Sequence, residues 1–182
     1  MKQLPGTTIE AGTLSDGDSR KIFDTVFSCG GLVLSQVCNM TGLETHTVQN
    51  WVKRRYVKSP KGRMYDVEQF SRLVIINMLK QSLPLDSIEK LLSYINGHLD
   101  DSSDDVITDS ELYHLFVGIL IRLDRGVDIS EVRAIAEQVT ENYVEPCKGA
   151  KRRLCKVLGV MAYSYYSSEL RKKAELLMSE LD

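Results

Sequence analysis

Residues 34–56 read L-S-Q-V-C-N-M-T-G-L-E-T-H-T-V-Q-N-W-V-K-R-R-Y. Ser35 is placed to cap a short helix that buries Val37 and Cys38. Gly42 permits a tight turn, Leu43 plugs the space between two helices, and Glu44 or Thr45 opens a second helix over 45–54. Helical phase divides that second helix. Val48, Trp51 and Val52 fall on one side at the i, i+3, i+4 spacing of a buried stripe. His46, Gln49, Asn50 and Lys53 fall on the other. All four carry hydrogen-bonding groups long enough to reach base edges or phosphates: Gln and Asn match adenine bidentately, and Lys favours guanine or phosphate. Any amphipathic helix has a polar outer face, so the stripe needs support from its surroundings.

Working outward, Tyr56-Val57-Lys58 and Arg63-Met64-Tyr65 read as two short strands around the turn Ser59-Pro60-Lys61-Gly62. Such a hairpin beside a recognition helix is a wing, with Lys58, Lys61 and Arg63 where a phosphate backbone would run. Asp66 with Gln69 has the spacing of a capping box and opens a helix over 67–80 that buries Phe70, Leu73, Val74 and Leu79. Pro84 breaks the chain, and Asp86 with Glu89 caps a further helix through Ile88, Leu91, Leu92 and Ile95. Upstream, 19–28 reads as a short amphipathic helix ended by Gly30-Gly31, and 1–18, rich in Gly, Thr, Ser and Asp, as a flexible tail. Downstream, 98–107 is an acidic linker. Residues 108–182 form a helical domain: Thr108/Glu111 and Asp128/Glu131 cap two helices, Gly126 stops the first, and a long helix begins near Pro146.

Residues 32–97 resemble the MerR family of bacterial regulators. The landmarks are L-S-Q-V-C-N-M-T-G-L, T-V-Q-N-W, G-R-M-Y-D-V-E-Q-F and L-P-L-D-S-I-E-K-L-L, in that order. The whole chain is also similar to a group of MerR-like proteins from Gram-positive bacteria classed as a domain of unknown function. The resemblance implies a mainly α fold, a winged helix-turn-helix with a two-stranded wing over 19–97, followed by the C-terminal helical bundle. It places Thr47, Gln49, Asn50 and Lys53 on the DNA-facing helix and Arg63 and Tyr65 at the wing. The candidate DNA-binding set is then Thr45, His46, Thr47, Gln49, Asn50, Lys53, Arg54, Lys58, Lys61, Arg63 and Tyr65. Two departures stand out. Gln49 occupies a position where the family commonly has Arg, which shifts phosphate anchoring to Lys53 and Arg54. Three shorter helices also replace the single long dimerisation helix of typical members.

Composition agrees with a globular protein: 182 residues, 43% apolar and 26% charged. The net charge of −2 hides an asymmetry. Between 43 and 80 lie Lys53, Arg54, Arg55, Lys58, Lys61, Arg63, Arg72 and Lys80 against Glu44, Asp66 and Glu68, whereas Asp100, Asp101, Asp104, Asp105, Asp109 and Glu111 meet no cation between 97 and 111. No apolar run spans a membrane and the first residues lack a secretion-signal layout, so a cytoplasmic protein is expected. Cys29, Cys38, Cys147 and Cys155 form no CxxC pair, and His46, His98 and His114 share no ligand spacing; no metal or cofactor is expected. Nothing has the pattern of a phosphate loop or a nucleophile, so no enzyme is expected.

In the C-terminal half, Leu154, Val157, Leu158, Met161 and Tyr165 make an apolar stripe that suits either a homodimer seam or an intramolecular core. Tyr113, Tyr143, Tyr163, Tyr165 and Tyr166 could line an effector pocket or be ordinary tyrosines. Lys148, Lys151, Arg152, Arg153 and Lys156 form a second basic run, facing solvent, DNA flanks or the acidic linker. The leading function is a sequence-specific DNA-binding transcriptional regulator with double-stranded DNA as partner. Alternatives are an excisionase-like architectural factor and a protein-interaction adaptor whose helix-turn-helix does not bind DNA.

Overall fold

The computed structural model describes residues 3–97, 99 and 105–181. Along them run α1 (Asp18–Phe27), β1 (Leu32–Val33), α2 (Leu34–Thr41), α3 (Thr45–Lys53), β2 (Met64–Tyr65), α4 (Val67–Leu79), α5 (Leu85–Asn96), α6 (Asp109–Asp124), α7 (Val132–Val139) and α8 (Ala150–Ser179). The protein is mainly helical, with one two-stranded antiparallel sheet that pairs Leu32 with Tyr65 and Val33 with Met64. No described helix is long and apolar enough to cross a membrane.

Helix α4 organises the molecule. Its sequence, V-E-Q-F-S-R-L-V-I-I-N-M-L, is apolar nearly all round, and such a helix must be enclosed. Phe70, Leu73, Val74, Ile75 and Leu79 have no exposed surface. Helices α2, α5, α6 and α8 and strand β2 surround it. The capping box expected from Asp66 and Gln69 is made: Asp66 accepts from the Gln69 amide at 2.9 Å, and the Gln69 side chain accepts from the Asp66 amide at 2.8 Å.

Burial on every side of α4 has a consequence for the expected division at 98–107. Residues 19–97 and 108–182 do not build separate cores. Phe23 of α1 stacks on Tyr113 of α6 at 5.0 Å and meets Phe70 of α4 edge-on at 5.4 Å. Polar ties run alongside. Glu68 of α4 accepts from the Ser110 amide (2.8 Å) and hydroxyl (2.6 Å), so it caps α6 together with Thr108. Arg72 of α4 pairs with Asp109 at 3.2 Å, with side chains only 6% and 14% exposed. Most of the acidic linker, at 98 and 100–104, lies outside the described residues.

The first residues also depart from expectation. Where 1–18 reads as a flexible tail, residues 3–17 fold back onto the body. Leu4 is fully buried and Leu14 nearly so. The core tyrosine Tyr113 donates its hydroxyl to Pro5 O at 2.8 Å, and the Thr8 amide donates to Met40 O at 2.8 Å. Gly6 (φ 75°) lies so close to α4 that an added Cβ would come within 2.5 Å of Met78. The Thr and Gly content serves tight turns, as when Thr7 bridges Leu4 O and the Ile9 amide.

Smaller differences follow local chemistry. Ser35 does not cap α2; Val33 precedes the helix and its amide is held by Gln36 at 3.0 Å. Asp86 lies inside α5, which starts after Pro84, and its carboxylate takes the Tyr56 hydroxyl. Asp128 holds the Ser130 amide through a turn of 3-10 helix before α7.

Candidate nucleic-acid interface

Residues 42–44 join α2 to α3, with Gly42 left-handed at φ 68°. The helical phase of α3 comes out as its sequence indicates: Val48 and Trp51 are buried and Val52 half-buried, while His46, Gln49, Asn50 and Lys53 are all exposed. Thr45 is exposed and Thr47 half-buried. The underside is anchored by Trp51, whose ring receives Lys80 Nζ at 5.5 Å. Partial burial holds the Lys80 amine below its ordinary pKa. The helix ends in a Schellman motif: Tyr56 N donates to Trp51 O (2.9 Å) and Arg55 N to Val52 O (3.0 Å), with Arg55 left-handed at φ 61°.

The expected wing takes a different form. Tyr56 and Val57 are both buried and make no strand; neighbours in a strand face opposite ways, so two adjacent buried residues do not suit one. Their segment is braced by α4 side chains instead. Arg72 Nε donates to Tyr56 O (2.7 Å), and Gln69 Nε2 donates to Lys58 O (3.2 Å) and Ser59 O (2.8 Å). The strand partner of Met64–Tyr65 is Leu32–Val33. The turn also shifts: Met64 N donates to Lys61 O at 2.9 Å, and Gly62 (φ 56°) and Arg63 (φ 66°) are both left-handed, as in a type I′ turn. This tight tip presents Lys61 and Arg63 to solvent.

Between the outer face of α3 and this tip lies an open cavity of about 610 Å³. Val33, Val52 and Tyr65 line it together with Gln49, Lys53 and Arg63. Of the sequence-selected residues, Gln49, Lys53 and Arg63 line this cavity, and His46 and Asn50 on α3 and Lys61 on the tip are exposed. Others do not join them. Tyr65 is 4% exposed, because its β2 position faces the core, and burial raises its phenol pKa. Arg54 turns back toward the body, 4.9 Å over the Tyr56 ring and 3.7 Å from Asp86. Lys58 is half-buried.

Sequence reasoning missed Gln69 and Arg72 as braces of this surface. A signal existed in Arg72, since a cation between the apolar residues Phe70, Leu73, Val74 and Ile76 must find partners if it is buried with them.

The C-terminal candidates disperse. Leu154, Val157, Leu158 and Met161 are buried within the chain, and Tyr165 meets Phe116 edge-on at 6.1 Å, so that stripe is core and not a seam between copies. Tyr113 lies in the core, Tyr143 donates to Val106 O at 2.6 Å and Tyr163 is exposed. Lys148, Arg152 and Lys156 are exposed and Lys151 and Arg153 half-buried. Among the described residues the cysteines are unpaired, and no group of three or more His, Cys, Asp or Glu is placed to hold a metal.

Comparison with known proteins places this surface in context. A family model described as a domain of unknown function (DUF1836) matches residues 23–116, slightly more than half of the chain. The chain belongs to that family. The matched segment starts within α1 and ends within α6, so it takes in α3, the hairpin tip and their braces on α4, together with the α6 turn that carries Asp109. An uncharacterized protein of Bacillus subtilis (strain 168), YkrK, is 31% identical over 116 residues, covering 59% of this chain and 50% of that protein. The chain therefore spans about half the length of the curated relative it matches. No solved structure matches.

Proposed function

We propose that this protein is a sequence-specific DNA-binding regulator of the winged helix-turn-helix type, with α2 and α3 as the helix pair. Helix α3 enters the major groove, where Gln49 and Asn50 read base edges and Lys53 takes guanine or phosphate. The Lys61–Gly62–Arg63 tip lies on the adjacent backbone. The observation that carries this reading is the coincidence of four exposed hydrogen-bonding side chains on α3 with two exposed cations on a neighbouring type I′ turn. Further support comes from Arg63 itself. A non-glycine residue in the left-handed region costs about 1 kcal/mol, and glycine would avoid that cost; a cation kept there suits a surface that needs charge. The resemblance of residues 32–97 to MerR proteins points the same way.

The test is selection from a random duplex pool, followed by anisotropy titrations of the enriched duplex and a scrambled one at several salt concentrations. Gln49→Ala and Asn50→Ala are each expected to lose about 1–3 kcal/mol of discrimination at one or two base pairs. Lys61→Ala should weaken binding to both duplexes alike and lower the salt slope by about 1. If no duplex is enriched, or if these variants bind as the wild type does, the mechanism fails.

Arg63→Gly makes a sharper variant. It removes the cation and the strain together, so the melting temperature is expected to hold or rise while affinity for every duplex falls. An affinity unchanged by this substitution would take Arg63 out of the interface.

A further inference from the structure

Helix α8 is 30 residues long, about 45 Å at 1.5 Å per residue. Its buried residues end at Ser168, and every residue from 170 to 181 is exposed. The last third therefore projects beyond the body, and a helix end without packing is marginal in water. That end is not polar: Leu170 is 49% exposed and Leu176, Leu177 and Met178 more than 60%. Exposed residues also follow a pattern on the outer face of the helix. Val160, Tyr163, Ser167, Leu170, Ala174 and Leu177 are all exposed, spaced alternately three and four apart. A 3.5-residue repeat is the signature of a helix that packs against another along a coiled-coil seam. The stripe is distinct from Leu154, Val157, Leu158 and Met161, which the body already covers.

We propose that this seam binds a second copy of the same chain, with the two α8 helices antiparallel about a two-fold axis between Ser168 and Glu169. The occupant is argued from self-complementarity, which an isologous interface demands. In this register Val160 opposes Leu177 of the second copy, Tyr163 opposes Ala174 and Ser167 opposes Leu170, and the symmetry repeats each layer. The largest side chain of the seam meets its smallest. The projecting tip reaches the foot of the other α8, where an open apolar groove of about 900 Å³ separates α7 from α8 and includes Val132, Gly159, Val160 and Tyr163. That groove is basic on balance, with Arg133, Lys151, Arg152 and Lys156 against Glu137 and Glu145, and the tip brings Glu180 beside Lys156 of the second copy. Nothing in this assembly depends on whether α3 binds DNA.

Sedimentation velocity on the full chain without DNA, at low and high micromolar concentration, provides the test. The wild type is expected to associate to a dimer, and Leu170→Glu with Leu177→Glu to remain monomeric. Lys156→Glu places like charges together twice per dimer and should raise the dissociation constant about tenfold. Adding Glu180→Lys to Lys156→Glu should bring it back toward the wild-type value, a recovery that a folding defect would not show. A wild type that stays monomeric at every concentration overturns the proposal. So does a glutamate double variant as dimeric as the wild type, or a charge-reversed pair no better than Lys156→Glu alone.

Discussion

Replacing Arg72 with alanine is expected to destabilise the protein by about 3–5 kcal/mol, the usual cost of leaving one charge of a buried pair alone. Arg72 Nη1 lies 3.2 Å from both carboxylate oxygens of Asp109, and its Nε holds Tyr56 O at 2.7 Å. One side chain thus joins α4 to α6 and braces the segment that leads from α3 to the hairpin tip. Burial already raises the Asp109 carboxyl above its ordinary 3.8, with Arg72 pulling it back. Without Arg72 the carboxyl rises further. A folded-state value above the unfolded one means that stability is fullest below 3.8 and declines as pH climbs through the raised value. The deficit of Arg72→Ala should therefore be largest near neutral pH and shrink toward pH 4. Urea unfolding across that range measures both effects. A double variant, Arg72→Met with Asp109→Asn, should recover much of the loss, because no buried charge is left unpaired. A neutral-pH loss under about 1 kcal/mol would show that the pair is not what binds the two halves.

His114 should make the fold acid-sensitive. Its ring meets Phe23 edge-on at 5.0 Å, and its Nδ1 lies 3.0 Å from Ser19 Oγ. Burial, helped by the nearby Arg20 guanidinium, lowers its pKa from 6.5 to about 4. Between those values the unfolded chain takes up a proton that the folded chain refuses. Stability is therefore complete above 6.5 and falls as the solution is acidified toward 4. The whole shift corresponds to about 3 kcal/mol; residual solvent at the half-buried ring reduces the expected loss to about 2 kcal/mol. His114→Asn keeps a group able to meet Ser19 but does not titrate, so the difference between its pH profile and that of the wild type isolates this residue. Parallel profiles for the two proteins would remove His114 from the account. The site joins α1 to α6, so acid should loosen the contact between the first helix and the body early.

The parts of the candidate interface that were legible in sequence are those set by spacing within a single element. The outward face of α3 follows from a 3.6-residue period, and the Asp66/Gln69 box from a fixed three-residue offset. The partner of β2 was not legible. Two-residue strands hold too little alternation to identify, and Tyr56-Val57-Lys58 offers β-prone residues equal to those of Leu32-Val33. The braces that hold Tyr56, Lys58 and Ser59 come from α4, whose side chains reach them only after the chain has turned back.

By itself the sequence determined which residues of α3 face outward, that Lys61 sits on a turn, and that Asp66 with Gln69 opens a helix burying Phe70, Leu73, Val74 and Leu79. Those outcomes depend on chain geometry over a few residues, where backbone sterics and side-chain polarity dominate. Tertiary structure alone decided that α6 and α8 close around α4, that residues 3–17 pack under Tyr113, and that Leu154 and Met161 lie inward while Tyr163 and Leu170 face solvent. An apolar stripe states that burial is needed and does not name what provides it. That choice falls to the long-range contacts that remove the most apolar surface from water while leaving Arg72, Asp109 and Glu68 paired.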